Sequence, residues 1–155
     1  MHNVALLIGG NQGDRHALIE QATEQIRQRI GSVVALSRVY ETEPWGDFDD
    51  QPQPFLNRAL LVETTLTPHE VLHEALAIET CMGRVRKEGS SLYSSRPMDI
   101  DLIFYDDQVI DTPELALPHP RMHLRRFVLE PLAEIIPDYR HPVLNTTIKQ
   151  LLESL

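Results

Sequence analysis

The sequence predicts an α+β domain in which an antiparallel sheet carries helices on one face. Strand and helix patterns follow one another in the order strand, helix, two strands, helix, strand. This is the order of a split βαβ pair, whose strands run antiparallel with the helices on one side. Residues 43–54, rich in Gln, Pro and Asp, are too long for a tight hairpin, which predicts a loop that is either functional or disordered. Residues 84–95, rich in Gly, Ser and charge, predict a second loop.

The first half of the chain predicts three strands and one helix. Residues 3–8 are apolar and typical of a buried strand. Asp14 is a typical N-cap for the helix that follows, and Gly31 is its stop. β-Branched residues predict a second strand over residues 33–42, and alternation predicts a third over residues 55–65.

The second half begins and ends with helices. Thr67 and Pro68 start a helix with Pro at its first position, and its apolar face continues to Met82. Shorter elements follow the next strand, which contains Asp99: an edge pairing at Val109 and Ile110, a helix over residues 128–136 and a last helix from Thr147.

Length and composition limit the classes of function. The 155 residues predict a single domain over residues 1–155, and the net charge of −9 argues against nonspecific nucleic-acid binding. The apolar run at residues 4–8 is too short for a membrane span and lacks the basic lead of a signal peptide. The single Cys81 forms no internal disulfide. We expect a cytoplasmic monomer with neither nucleic-acid nor membrane partners.

Asp99 and Asp101 are the strongest functional signal in the chain. They alternate with Ile100 and Leu102 in a strand pattern, so both carboxylates share one face. At a rise of ~3.3 Å per residue their backbones lie ~6.6 Å apart, a span that brackets two metal ions about 3.5–4 Å apart. Carboxylates suit Mg²⁺ when substrate phosphates complete its shell. The alternative is a solvent-facing strand edge whose charges prevent aggregation.

A second strand carries an aromatic ring and an amide. Phe55 and Asn57 are two residues apart and share a face, so the ring can stack on a flat heterocycle while the amide binds its edge. The alternative is a core Phe beside a turn amide.

Basic residues form two clusters in an otherwise acidic chain. One consists of Arg84, Arg86 and Lys87, and the other of Arg121, Arg125 and Arg126. Either cluster is able to attract an anionic ligand to one face of the protein. The alternative is solvated surface charge.

Together these motifs resemble the 6-hydroxymethyl-7,8-dihydropterin pyrophosphokinase family of folate biosynthesis. The resemblance extends over nearly the whole chain, and its motifs occur in the family's order. The matching segments are residues 9–15, Thr42 with Pro44 and Gly46, residues 55–57, residues 83–86, residues 96–101 and residues 118–127.

The resemblance implies a ferredoxin-like fold with long catalytic loops. It implies an enzyme that transfers the β,γ-pyrophosphoryl group of ATP to the pterin hydroxymethyl oxygen and leaves AMP. ATP would be the co-substrate, and Asp99 and Asp101 would hold two Mg²⁺ ions. Arg84 and Arg96 would complete the catalytic set by neutralising charge on the phosphates.

The same resemblance implies two sets of substrate contacts. Phe55 and Phe127 would enclose the pterin between their rings. The residues at its edge would be Thr42, Pro44, Trp45 and Asn57. The ATP side would consist of Glu79, Arg86, Arg96, Leu102, His119 and Arg125.

Three positions depart from the family's pattern. Gly10 stands where Ser is usual, Pro97 stands where Thr is usual, and Glu114 lies where some relatives direct a basic residue toward ATP. None of the three is a member of the implied contact sets.

Two other classes of function use the same acidic pair. A metal-dependent phosphohydrolase would use Asp99 and Asp101 without a pterin, and a ferredoxin-like small-molecule sensor would bind a regulatory ion there. Neither alternative requires Phe55, Asn57 and Phe127, which therefore favour the pyrophosphokinase.

Overall fold

The computed structural model describes residues 1–42, 54–83 and 98–155. Most of the two predicted long segments, residues 43–54 and 84–95, lies outside the described residues. The elements are β1 (His2–Gly10), α1 (Arg15–Arg29), β2 (Ser32–Leu36), β3 (Tyr40–Thr42), β4 (Phe55–Thr64), α2 (Pro68–Cys81), β5 (Asp99–Tyr105), β6 (Ile110–Asp111), β7 (Ala116–Leu117), a 3₁₀ helix (Met122–Leu124), α3 (Arg126–Ile135) and α4 (Ile148–Glu153). Within the described ranges, no helix has the length and hydropathy of a membrane span.

The main sheet has the strand order β2-β4-β1-β5, and β3 pairs with β4 beyond the end of β2. Every strand pair within the described residues is antiparallel. When β2 and β3 are taken as one interrupted strand, the order is that of a split βαβ pair. The predicted α+β, ferredoxin-like class is confirmed.

The single strand predicted over residues 33–42 is divided at Ser37. The Ser37 N–H donates to Ala59 O at 2.9 Å, and the Ser37 hydroxyl accepts the Ala59 N–H at 2.9 Å. The same hydroxyl donates to Arg38 O at 2.7 Å. A side-chain hydroxyl thus replaces a main-chain partner, and β2 ends there because the regular ladder is interrupted.

The predicted placement of helices on one face requires a correction. α1 and α2 cover one face of the sheet, but α3 and α4 pack on part of the opposite face around a second apolar cluster. The reason lies in β1, where Val4 to Gly10 are all buried. A strand that is buried on both faces needs cover on both faces.

The start of α2 is set by its own sequence, as predicted. The Thr67 hydroxyl accepts the Glu70 N–H at 3.2 Å, and the Glu70 carboxylate accepts the Thr67 N–H at 2.9 Å. This capping box satisfies N–H groups that the first turn of a helix leaves unpaired. The cap fixes which residues of α2 face β5.

A bulge divides β5 into two parts. Phe104 pairs with Ala5 and Leu102 pairs with Leu6, which leaves Ile103 as the extra residue. Ile103 and Phe104 therefore both lie in the cluster under α3 and α4. Before the bulge the alternation of β5 is unbroken.

Candidate active site

Four adjacent strands bring one row of residues together on the sheet face that α3 partly covers. Asp99 pairs with Gly9, Gly9 pairs with Asn57, and Asn57 pairs with Tyr40. Because neighbouring strands lie ~4.7–4.9 Å apart, the row is roughly 14 Å long. That length accommodates an elongated small molecule.

Asp99 and Asp101 both point to the same side as this row. Each is half-buried, whereas Ile100 and Leu102 are buried in the apolar cluster beneath α1 and α2. The alternation predicted from the sequence is confirmed, and the two carboxylates lie side by side on one face. Within the described part of the chain, no group of three or more His, Cys, Asp or Glu side chains forms a metal cage.

A cavity of about 540 Å³ lies over this face of the sheet. Its volume is in the range of small-molecule sites. Seven of the predicted site residues line it: Thr42, Phe55, Asn57, Asp99, Asp101, Arg125 and Phe127. The rest of the lining was not predicted as part of the site: Leu7, Gly9, Tyr40, Glu41, Leu124, Arg126, Glu130 and Pro131.

Asn57 is held in place on the cavity floor. Its Nδ2 donates to Thr42 Oγ1 at 2.9 Å, and the residue is 6% exposed. A Cβ on the neighbouring Gly9 would lie 2.6 Å from Asn57 Oδ1 and 2.8 Å from Leu56 O. Glycine is therefore required beside Asn57, and it leaves the floor between Asn57 and Asp99 without a side chain.

Aromatic rings from two distant segments reach the same cavity. Phe55 is the first residue of β4, and Arg15 Nη1 donates to the preceding Pro54 O at 2.8 Å. Phe127 is in the first turn of α3, and the Arg125 guanidinium carbon lies 5.6 Å from the centre of its ring. The cavity thus combines an acidic pair, two rings and a cation.

Comparison with known proteins identifies the family to which the chain belongs. The family model of 7,8-dihydro-6-hydroxymethylpterin-pyrophosphokinase (HPPK) matches residues 5–137. The chain belongs to this family. It is a pyrophosphokinase of the folate pathway, and it transfers pyrophosphate from ATP to hydroxymethyldihydropterin.

Two relatives illustrate the similarity in sequence, and both are named 2-amino-4-hydroxy-6-hydroxymethyldihydropteridine pyrophosphokinase. The protein from Porphyromonas gingivalis is 43% identical over 140 residues, which cover 90% of this chain and 93% of the relative. The protein from Bacillus subtilis is 40% identical over 137 residues, which cover 87% of this chain and 79% of the relative.

Solved structures agree on the fold. The wild-type HPPK-DHPS of Plasmodium falciparum, crystallised with pteroate, matches with a TM-score of 0.78 at 18% identity. The match covers 99% of this chain and 42% of that longer one. This chain therefore spans less than half of that two-part protein, and the likeness concerns the fold.

Three of the predicted ATP-side residues do not line the cavity. Glu79 is on α2 and is 3% exposed, and its Oε2 accepts the Ile100 N–H at 2.7 Å. The Leu102 side chain is buried in the core, so a contact with ATP would involve its main chain. His119 is partly buried, and its pKa is lowered by burial and then by the nearby charges of Arg125 and Arg121. Their contacts with ATP stay predictions.

The remaining predicted site residues lie outside the described residues. They are Pro44, Trp45, Arg84, Arg86 and Arg96.

Tyr40 is a cavity residue that the sequence reasoning missed. Its hydroxyl donates to Glu134 Oε1 at 2.7 Å, while the Arg38 N–H donates to Glu134 Oε2 at 2.9 Å. These bonds connect β3 and the residues just before it with α3, beside the cavity. Tyr40 lies two residues before Thr42 on the same strand, and this spacing was the available signal that they share a face.

Proposed function

We propose that the cavity binds both substrates, with the pterin between the two rings and the triphosphate over the acidic pair. The pterin lies between Phe55 and Phe127, and Asn57 binds the polar edge of its ring. What supports this is that the rings, the amide and Asp99 with Asp101 line one cavity. An aromatic and amide wall suits a flat heterocycle with donors and acceptors.

The pterin side has further members. Thr42 bonds to the Asn57 amide and so restricts its rotation. The main chain of Thr42 and Trp45 binds the edge of the pterin, and Pro44 restricts the backbone between them.

Asp99 and Asp101 hold the two Mg²⁺ ions of the reaction. Two carboxylates on one strand face are a donor set of the type that binds Mg²⁺ together with substrate phosphates and water. When bound, Mg²⁺ neutralises charge on the triphosphate oxygens and polarises the phosphorus under attack.

The nucleotide side consists of Arg86, Arg96, Leu102, His119 and Arg125. Arg125 lines the cavity beside Phe127. Arg84 and Arg96 neutralise the charge that develops on the transferred group.

The reaction forms a bond between the pterin hydroxymethyl oxygen and the β-phosphorus of ATP. The bond from the β-phosphorus to the oxygen bridging the α-phosphate breaks, AMP leaves with that oxygen, and the hydroxyl proton passes to solvent. The protein's part is to hold the oxygen and the phosphorus in line and to surround the triphosphate with charge. Phe55, Asn57 and Phe127 position the oxygen, because they fix the plane and the rotation of the pterin.

One assay tests this assignment of substrates. We expect AMP to form from ATP only when 6-hydroxymethyl-7,8-dihydropterin is present together with Mg²⁺. ADP, or free phosphate formed without the pterin, would instead support a phosphohydrolase, and binding without turnover would support a sensor.

We further propose that the protein acts as a cytoplasmic monomer with one catalytic domain over residues 1–155. Sedimentation at assay concentration tests the oligomeric state.

A further inference from the structure

Glu79 is a buried carboxylate on the side of the sheet opposite the cavity. It lies on α2, which packs against β5, and it is 3% exposed. Removing a carboxylate from water is costly unless hydrogen bonds or charges compensate for the loss. Its contacts therefore indicate what it does.

The contact that matters joins Glu79 to the main chain of β5. Glu79 Oε2 accepts the Ile100 N–H at 2.7 Å. Among the described residues, β5 is the last strand in the sheet order and pairs only with β1. An edge strand leaves every second N–H without a strand partner, and Glu79 binds this one.

Ile100 is the residue between the two proposed metal ligands. The Ile100 N–H belongs to the peptide that joins it to Asp99, and the next peptide leads to Asp101. Because a peptide is planar, a bond that fixes one plane restricts the direction of the adjoining Cα–Cβ bonds. A strong bond to a charged acceptor at this point holds the main chain of the strand segment that carries both carboxylates.

We propose that Glu79 is a positioning residue for the acidic pair: it holds the β5 main chain at Ile100, so that Asp99 and Asp101 present their carboxylates together to the metal-bound triphosphate. This inference rests on the proposed function. It assigns to Glu79 an indirect action through β5 in place of a direct contact with the nucleotide. Substitution of a residue that orients a metal ligand typically lowers metal affinity by about 10–100-fold.

Two substitutions separate the hydrogen bond from the charge. Glu79→Gln keeps an oxygen that accepts the Ile100 N–H, whereas Glu79→Leu removes the acceptor at similar volume. Glu79→Met is a second apolar variant that adapts more easily to the site if the Leu variant does not fold. Thr64→Val is the matched control, because Thr64 is 1% exposed and its hydroxyl bonds to Ile30 O and accepts the Leu66 N–H far from the cavity.

The main measurement is Mn²⁺ affinity, followed by electron paramagnetic resonance with a nonhydrolysable ATP analogue present. We expect the apolar variant to bind Mn²⁺ about 10–100-fold more weakly, and Glu79→Gln to stay within about 3-fold of the unmodified protein. Thr64→Val should lose thermal stability and keep its Mn²⁺ affinity. AMP affinity should not change in the apolar variant, because AMP lacks the phosphates that share the metal.

Three results would overturn the proposal. The first is unchanged Mn²⁺ affinity in the apolar variant. The second is an equal loss of Mn²⁺ affinity in the Gln and apolar variants, and the third is a loss of AMP affinity; either of these two assigns a direct or charge-based role to Glu79. The variants Asp99→Asn and Asp101→Asn distinguish a failure of the proposed role of Glu79 from a failure of the proposed metal site. If they bind Mn²⁺ normally, the metal assignment itself is wrong, but if only they lose Mn²⁺, the role of Glu79 alone is wrong.

Discussion

The two faces of β1 have different surroundings along the same stretch of chain. Leu6 and Ile8 are fully buried against α1 and α2. On the opposite face Leu7 packs in the apolar cluster with α3 and borders the cavity, and Gly9 forms cavity floor that carries no side chain. One face therefore stabilises the fold along its whole length, while the other is packed at one end and lines the proposed ligand cavity at the other. Asp99 and Asp101 at the open end remain half-buried, so their charges are tolerated without the full cost of desolvation.

The largest expected effect tests the closed face. Leu6→Ala removes a fully buried side chain from the layer between the sheet and α1 and α2. We expect the free energy of unfolding to fall by ~2–5 kcal/mol, because both transfer free energy and packing are lost. Urea unfolding measures the change, and the folded fraction should keep its Mg²⁺ dependence. Unchanged stability with lost turnover would contradict the separation of the two faces.

The open face should respond in the opposite way. Asp99→Asn and Asp101→Asn each remove a charge that faces the cavity, and we expect kcat to fall on the order of 10²–10³-fold. The urea midpoint should stay unchanged, because neither side chain is in the apolar core. Steady-state kinetics with Mg²⁺ measures the effect.

Asp111→Asn is the matched control for the acidic pair. Asp111 is exposed on β6 and does not line the cavity. Its substitution should leave kcat unchanged. Near-normal turnover in both cavity variants would rule out the two-metal site.

The aromatic wall should have a smaller and more selective effect. Phe55→Ala and Phe127→Ala should each weaken pterin binding by at least about 2- to 12-fold, since a stacked ring contributes roughly 0.5–1.5 kcal/mol beyond its buried area. Affinity for an ATP analogue should change less. Calorimetric titration of each ligand separately measures both affinities. Leu124→Ala is the control, because Leu124 lines the cavity with a side chain that is 64% exposed and not aromatic.

The smallest expected effect concerns the bond that connects β3 with α3. Burial raises the pKa of Glu134, but the bonds from Tyr40 and the Arg38 N–H outweigh it, and the pKa lies below its ordinary value of 4.5. A carboxylate whose pKa is lowered in the folded state stabilises the protein at pH values above its ordinary pKa. This stabilisation is lost as the pH falls through the lowered pKa. Tyr40→Phe should therefore cost about 1 kcal/mol at neutral pH and progressively less in acid.

The control for that experiment is Tyr105→Phe. The Tyr105 hydroxyl donates to Leu66 O at 2.6 Å, a neutral acceptor. The loss of stability caused by Tyr105→Phe should therefore be the same at every pH over the range in which carboxylates titrate. Urea midpoints at about pH 7 and pH 3 compare the two variants, and parallel behaviour would show that Glu134 is not the group responsible.

Local patterns determined much of this protein from the sequence alone. The alternation around Asp99 and Asp101 identified a shared face, and Thr67 with Pro68 identified the start of α2. Both features depend on neighbours a few residues apart, which a period of two or a helix cap describes directly. The family motifs predicted the reaction for the same reason, because each motif is short and the motifs occur along the chain in the family's order.

Tertiary structure alone decided which strands and helices meet. Gly9 is beside Asn57 because of the register between β1 and β4, and Tyr40 bonds to Glu134 across 94 positions of sequence. Glu79 lies behind the acidic pair only because α2 packs against β5. Periodicity indicates which face a side chain occupies but contains no information on which element lies opposite that face. The packing of the whole chain therefore decided the walls of the cavity and its supporting contacts.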